Sequence, residues 1–408
     1  MTAVLDVLVV GGGPVGAAVG ALLARAGRGA CGWRVGLLQA APTPAAGRVI
    51  ALSRASEKIL GAAGAWAHIR PHAWAYEHMR VWHHSVAAQS DEVLQFDAAQ
   101  AGEPNLGYIV QTRQVTTALM DAFVAAGGRV LNGELQAVMA ADGSAPLRVQ
   151  TSAGELSAQL IVGADGARSA VRGAFGIEAR TASYGQSALV ARVVPQVSHR
   201  NTAWQRFVDG GTLALLPLAD GSVSIVWSVR EARAGTLLAA AAADFEAQLL
   251  HESDGVLGRL TLAGERLAFP LLRLSADRYT AAHCALVGDA AHVVHPLAGQ
   301  GVNLGLLDAA ALAQLTVQAR ASGELLGAQR TLRAYERWRK GENQLMEFAI
   351  DAFNRVLAQG VGPVSALARR ALALTNRSAL LKRFFIGHAL GRAPALTAWE
   401  SDQSLLRR

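Results

Sequence analysis

Val7-Leu8-Val9-Val10-Gly11-Gly12-Gly13-Pro14-Val15-Gly16 decides the fold. The apolar run from Ala3 to Val10 is the length of a buried strand, and the alanine- and leucine-rich segment after the glycines, as far as Ala26, reads as a helix. Between them, Gly11 permits a sharp turn, Gly13 lets backbone approach a pyrophosphate, and Gly16 lets helix and strand pack closely. The helix start adds amide donors and the positive end of a dipole. A second apolar run, Val35 to Leu38, completes a β-α-β unit of the dinucleotide-binding kind. The slot at the end of that strand, where a ribose-binding acid is expected, holds Gln39. Its amide oxygen can accept a hydroxyl hydrogen bond but without charge assistance.

Further along, the pattern predicts a helix from Arg48 to about Gly64, then strands at Met79–His83 and Val93–Phe96. Next come a strand at Tyr108-Ile109-Val110 and a helix over about 113–126. Val130 to Leu160 reads as an antiparallel meander with turns at Asp142-Gly143 and Ala153-Gly154, returning to a buried strand at Leu160–Gly163. Period-two alternation from Ser183 to Val229 predicts a second, mainly antiparallel sheet, with Trp204, Phe207 and Trp227 on its buried face. A helix over about 236–250 and a buried strand at Cys284–Val287 follow. The remainder reads as helical: about 302–320, 326–358, and shorter amphipathic segments.

At 408 residues the chain is long enough for two or three domains. A 51% hydrophobic and 17% charged composition, against about 25% charged in typical domains, excludes intrinsic disorder. Only three of the 38 basic residues are lysines (Lys58, Lys340 and Lys382), and the formal charge is +7. That balance permits anionic partners without specifying one, and nothing points to nucleic acid. Cys31 and Cys284 sit in unrelated segments, so neither a disulfide framework nor a metal site is expected. The first apolar run lacks a basic flank and breaks into glycines by Gly11, unlike a signal peptide. No apolar stretch approaches the roughly 20 residues of a membrane span. The expectation is a cytoplasmic protein, soluble or peripheral at the inner face of a membrane.

Two more motifs carry chemistry. Gly163-Ala164-Asp165-Gly166-Ala167-Arg168-Ser169-Ala170-Val171-Arg172 puts Asp165 just after a buried strand, at the strand edge where open α/β sheets bind ligands. Gly288-Asp289-Ala290-Ala291-His292 follows another buried strand and leads into Pro296-Leu297-Ala298-Gly299-Gln300-Gly301-Val302-Asn303-Leu304-Gly305. The Asp289 carboxylate can accept from hydroxyl groups. A helix opening near Val302 would direct free amides at an electron-rich ring and stabilise negative charge there.

This ordered trio, GxGxxG, DGxxSxVR and GDAAHxxxPxxGQGxN, resembles that of the single-component flavoprotein aromatic hydroxylases. Together with Gly107-Tyr108-Ile109-Val110 and Phe269-Pro270-Leu271, it is similar to the UbiH/VisC-like ubiquinone-biosynthesis hydroxylases, from Val7 to about Lys382. The resemblance implies an α/β fold: a Rossmann-like FAD-binding domain, an inserted antiparallel-sheet substrate domain and a C-terminal helical extension. The expected division is 1–70, 98–178 and 265–340 for FAD binding, 71–97 and 179–264 for substrate, and 341–408 for the helical region.

The resemblance further implies bound FAD, NAD(P)H as reductant, dioxygen, and hydroxylation of a lipophilic polyprenyl-phenol in ubiquinone biosynthesis through a flavin C4a-hydroperoxide. By position, Gly11, Gly13 and Gly16 would hold the pyrophosphate and Gln39 the ribose. Arg48, before Ala51-Leu52, and Arg113 of Gln111-Thr112-Arg113 would approach phosphates or flavin. Asp165 belongs to the motif for FAD and nicotinamide nucleotide, Gly288 and Asp289 to the ribitol contact, and Gly299, Gly301, Val302 and Asn303 to the flavin cradle. Gln39 and Gln111 both stand where the family carries an acid.

Pro296 fixes the backbone at the flavin edge, and its carbonyl could accept a hydrogen from the substrate or a peroxide. His292 and His295 flank the same segment; His292 is the candidate acid or base, against a purely structural reading. His83-His84 on a strand can place only one ring inward. Ser169 has no histidine in its motif, which rejects a hydrolase. Towards the C-terminus, Phe348, Ile350, Phe353, Val356 and Leu357, with Arg369, Arg370, Arg377, Lys382, Arg383 and Arg392, form a basic amphipathic surface suited to anionic lipid or to other ubiquinone-biosynthesis proteins. A solvated helical cap fits the same residues. Two alternatives stay open: a hydroxylase of a small soluble phenol, and a flavin-poor assembly subunit.

Overall fold

Leu5–Val10 is buried at every position because it lies in the middle of a parallel sheet. Val35–Gln39 pairs on one side of it and Gly154–Gly163 on the other; Arg129–Asn132 and Cys284–Leu286 extend the two flanks, all parallel. The computed structural model describes residues 4–27, 32–40, 48–139 and 145–355. Pro14–Ala26 packs beside Thr112–Ala125 and Gln300–Ala321 in the core that covers this sheet.

Arg129–Asn132, expected to open a meander, joins the parallel sheet instead. Of the stretch expected as a meander, Leu135–Met139, Leu147–Thr151 and the first half of Gly154–Gly163 pair antiparallel. The Asp142-Gly143 turn lies outside the described residues; the Ala153-Gly154 turn is present, with Gly154 at φ +121°. The helix expected from Arg48 begins only at Arg54: Val49–Ser53 is a strand paired with Gly107–Gln111, and Ser53 Oγ caps the helix by accepting from Ser56 N. The helix expected over 236–250 is two, Glu231–Ala239 and Ala242–Glu252. Arg266 donates to the carbonyls of Leu237 and Ala240 at the break, taking over acceptors that a continuing helix would fill.

The second sheet runs in the order His292–Val293, Leu267–Ala276, Ala179–Pro195, Val223–Arg230, Gly211–Pro217, Thr202–Val208, His78–His83, Leu94–Asp97, with Leu260–Leu262 paired to the end of Ala179–Pro195. All pairs are antiparallel except Thr202–Val208 with His78–His83. An expected boundary at 265 would therefore part Leu267–Ala276 from the strand it pairs with at nine positions. Trp227 and Phe207 are buried on this sheet, while Trp204 is partly buried, edge-on to Trp82. His83 is buried and His84 exposed, with their rings 4.1 Å apart, so the strict alternation expected of a strand does not separate them. The last helix among the described residues, Gln329–Phe353, packs on Gln300–Ala321. The basic residues from Arg369 to Arg392, with Val356 and Leu357, lie outside the described residues.

Candidate active site

The three motifs meet at the C-terminal edge of the parallel sheet. A methyl group on Gly11 (φ +116°) would stand 2.2 Å from the Ala164 carbonyl oxygen, and one on Gly16 would stand 2.0 Å from the Gly11 carbonyl oxygen. Both glycines are thus demanded by packing between turn, helix and the Asp165 loop. Gly13 differs: a methyl there would touch nothing among the described residues, so the space above it is open. The helix Pro14–Ala26 begins over that space with no side-chain cap and no acid in its first turn. A methyl on Gly12 would meet Gln39 Oε1 at 2.3 Å, so Gln39 lies directly against the turn.

Asp165 stands beside the same turn. Its Oδ2 accepts from Val171 N at 3.0 Å, whereas Oδ1 is buried without a partner among the described residues. Ser169 caps the short helix after it by accepting from Arg172 N. Arg172 then donates to the carbonyls of Ala167 (2.8 Å) and Ala290 (2.9 Å), tying the Asp165 loop to the Gly288 turn. Arg48 leans its guanidinium over the Phe269 ring at 5.1 Å and so bridges from the edge of Val49–Ser53 to the second sheet. Its carbonyl accepts from Thr112 N, the residue before the exposed Arg113. Asp289 is open to water but hemmed in by protein. That desolvation raises its carboxyl, against the opposing charges of His292 and Arg48.

Gly288 adopts φ +57°, and its amide donates to Asp308 Oδ2 at 3.0 Å. The same oxygen lies 2.6 Å from His292 Nε2, while Oδ1 accepts from Arg339 Nε at 2.8 Å and Asn343 Nδ2 at 3.0 Å. Asp308 is thus a completely buried carboxylate with four donors. Burial alone would raise it, but the charges and hydrogen bonds of His292 and Arg339 prevail and hold it well below the usual carboxylate range. Sequence reading missed this centre. Its one signal was a lone acid amid the apolar residues of Gln300–Ala321, where the only other charged residue is Arg320. For His292 the geometry favours the structural role: its ring stacks on Tyr279 at 5.8 Å and is tied into this network.

Asn303 also has a different job from the expected one. Its Oδ1 accepts from Ser53 N (3.0 Å) and Ser56 Oγ (2.6 Å), and its Nδ2 donates to Ala51 O (2.9 Å) and Gly299 O (3.1 Å). All four hydrogen bonds of the amide are used, so the side chain pins the long helix to Val49–Ser53 and offers nothing to a ligand. Gly299 (φ +64°) is the N-cap of that helix and lies against Ala51; a methyl on Gly301 would touch nothing among the described residues. Val302 is half-buried against the main core. The Pro296 carbonyl already accepts from Gly299 N at 3.0 Å.

Open space over Gly13, an unblocked helix start, a second open glycine at Gly301 and an orphaned carboxylate oxygen on Asp165 fit a dinucleotide laid across this edge. Fold and site together define a dinucleotide-binding α/β protein with a second, largely antiparallel sheet set against the site. The family model described as FAD binding domain matches residues 4–344. Among solved structures, p-nitrophenol 4-monooxygenase from Pseudomonas putida superimposes with a TM-score of 0.76 at 19% identity, covering 96% of this chain and 99% of that one. The ubiquinone hydroxylase UbiL of Rhodospirillum rubrum is 36% identical over 402 residues, covering 95% of this chain and 90% of that protein. The 3-demethoxyubiquinol 3-hydroxylase of Escherichia coli is 34% identical over 399 residues, with 95% and 98% covered. The chain belongs to the UbiH/VisC-like family of flavoprotein hydroxylases.

Proposed function

We propose that the chain hydroxylates the aromatic ring of a polyprenyl-phenol intermediate of ubiquinone biosynthesis, using FAD, dioxygen and a reduced nicotinamide nucleotide. The observation that carries this reading is the position of the loop at Val294–Leu297. Leu297 packs against the cluster of Val81, Leu94 and Phe207 on the second sheet and against the cluster of Val294, Leu304 and Ile350, while Pro296 leads into the Gly299 cap. An apolar wall and the cradle of a redox cofactor share one loop, which suits a greasy ring presented to a flavin edge.

When bound, FAD supplies oxygen activation and hydride acceptance. The chain supplies placement. Gly13 and the amides at the start of Pro14–Ala26 would face the pyrophosphate, with Gln39 accepting from a ribose hydroxyl. Asp165 and Asp289 would accept hydroxyl hydrogens of the cofactor, and Arg48 and Arg113 would approach its phosphates or ring. Gly288 sets the turn that carries Asp289. The amides around Gly299, Gly301 and Val302 would stabilise negative charge on the ring, a preorganised role that needs no general acid. Phe207, Met79 and Leu297 exclude water from the substrate side. The division into an FAD-binding part, a substrate sheet and a C-terminal helical region follows the same logic, with the strand Leu267–Ala276 assigned to the substrate sheet.

Such a substrate lives in lipid. Among the described residues no helix is long and apolar enough to cross a membrane, while Leu345 and Phe348 on the last helix are exposed by 62% and 73%. These features support peripheral attachment to a membrane or to other ubiquinone-biosynthesis proteins. To test the function, purified protein is titrated with FAD and its oxygen uptake measured with NADH or NADPH and a long-chain 2-alkylphenol. Flavin uptake and phenol-dependent hydroxylated product are expected, with weaker FAD binding in Asp289→Asn. A protein that takes up no flavin sinks the reading.

A further inference from the structure

The two faces of the second sheet are unlike. On its central strands, Gly211–Pro217 and Val223–Arg230, the side chains of Leu213, Leu215, Ile225 and Trp227 are fully buried in one cluster with residues of the helices Glu231–Ala239 and Ala242–Glu252. Side chains alternate along a strand, so Ala214, Leu216 and Val226 point the other way, and all three are partly exposed. These strands lie in the middle of the sheet, not at its edge. Exposure on one face alone therefore marks open space on that side. The flavin side of the molecule borders the same space. Phe207, which meets Leu297, lies in one cross-strand row with Thr212, Ser228, Ala188 and Phe269, and the Phe269 ring carries the Arg48 guanidinium.

Gln205 belongs to this open face. Arg206, next to it, turns to the helical side and donates to the carbonyls of His251 (3.0 Å) and Glu252 (2.8 Å), whereas Phe207 faces Leu297. The adjoining cross-strand row runs Val81, Gln205, Ala214, Val226, Val190, Leu267, and Gln205 is its one polar member. The residue is only 4% exposed and its side chain makes no hydrogen bond among the described residues. Even so, neither its amide oxygen nor its amide nitrogen is sealed: both keep accessible surface. A buried amide is ordinarily paired, and convergent polar groups on an apolar wall are how a pocket orients its ligand. Thr212 and Ser228 share the face, but they are direct cross-strand neighbours, an arrangement in which two hydroxyls pair with each other. Gln205 has only Val81 and Ala214 beside it.

Resting on the hydroxylase reading above, we propose that Gln205 is the residue that recognises the substrate's ring hydroxyl, with the ring lying against the apolar row on either side of it. Its Oε1 accepts the phenolic O–H, and no proton is transferred. An amide sets a donor beside an acceptor, so it can pair with a hydroxyl in either sense. A ring without an oxygen substituent leaves both amide atoms unpaired in a space that it has emptied of water, and the site discriminates against it for that reason.

The test uses holoenzyme, titrated in micelles with a 2-alkylphenol and with the alkylbenzene of the same chain length, and read by the perturbation of flavin absorbance. Each compound partitions into the micelles alike whichever protein is present, so the ratio of its two dissociation constants is compared between proteins. Gln205→Met keeps the length of the side chain and removes both polar atoms; Gln205→Leu removes them in a shorter one. Both variants should take up FAD as wild type does, because the amide lies outside the cofactor cradle. The preference for phenol over alkylbenzene should fall about tenfold in each, the effect of one buried hydrogen bond. An unchanged preference in either flavin-loaded variant overturns the proposal. So does an equal weakening of both compounds, which is the mark of a packing role. Wild type that binds phenol and alkylbenzene equally, after correction for micelle partition, overturns it without any variant. A flavin-loaded wild type that binds neither compound overturns the hydroxylase reading itself, and this proposal with it.

Discussion

Replacing Asp308 with Asn changes one atom's charge at the point where the Gly288 turn, His292 and the last helix meet. The carboxylate accepts four hydrogen bonds; an asparagine oxygen accepts two, and its NH2 would face donors. Arg339, 2% exposed, would also lose the buried charge that compensates it. Breaking one side of a buried ion pair costs about 3–5 kcal/mol. With a urea m-value of about 3 kcal/mol per molar, the unfolding midpoint should fall by roughly 1–1.7 M.

The double variant Asp308→Asn/Arg339→Met removes the stranded cation and should recover part of the loss. Because the folded-state carboxyl lies below its ordinary range, the stabilisation is fully present above the unfolded value near 4 and is lost only as pH falls below it. The deficit of the single variant should therefore be constant from pH 8 to 5 and narrow in stronger acid. A single variant within about 1 kcal/mol of wild type at pH 7, or a double variant worse than the two single losses added, would refute the idea that charge compensation holds this centre together.

Other outcomes follow from the same geometry. Gly13→Ala should leave the melting temperature of the flavin-free protein unchanged or slightly higher while raising the FAD Kd at least tenfold, since its methyl enters only ligand space. Gly16→Ala, driven against the Gly11 carbonyl, should yield little folded protein; expression with circular dichroism and FAD fluorescence separates the two. The His295 imidazole, held at about 4 against an ordinary 6.5, stabilises the fold above pH 6.5 and loses that contribution, up to about 3 kcal/mol, as pH falls towards 4. Stability measured across that range should decline less steeply in His295→Asn, and parallel curves would contradict the assignment. Asn303→Leu leaves Ser53 N and the Ala51 and Gly299 carbonyls without their partner, and should lower stability by about 2–4 kcal/mol in a denaturant titration.

Reading the sequence reached the parts of this molecule whose causes are local. The glycine turn, the strands Leu5–Val10 and Val35–Gln39, and the Gly288-Asp289 edge were legible because each follows from a short pattern with a steric reason. Val49–Ser53 was mistaken for helix because Val-Ile-Ala-Leu-Ser suits either state, and only pairing with Gly107–Gln111, some 58 positions away, decides it. Arg129–Asn132 shows the same effect: its partner is Val35–Gln39, not its neighbour in sequence. The break at Ala240-Ala241 has no signal in alanine itself and depends on Arg266 arriving from elsewhere. Asp308 was hidden because its meaning lies in residues 16, 20, 31 and 35 positions away. The structural role of His292 rested on the same kind of distant partner.

The two-residue strand His292–Val293 pairs with Leu274 and Ser275 at the margin of the second sheet. That sheet is therefore assembled from three separate stretches of chain, around 78–97, 179–276 and 292–293. For anyone wishing to re-engineer what this enzyme accepts, the sheet is not a cassette that one cut at each end releases. A donor sheet grafted without its own equivalent of residues 292–297 would meet a foreign loop at the point proposed above to align ring and flavin. Chimeras that exchange all three stretches together should retain flavin-coupled turnover; those that exchange only the large middle stretch should bind flavin and waste reductant.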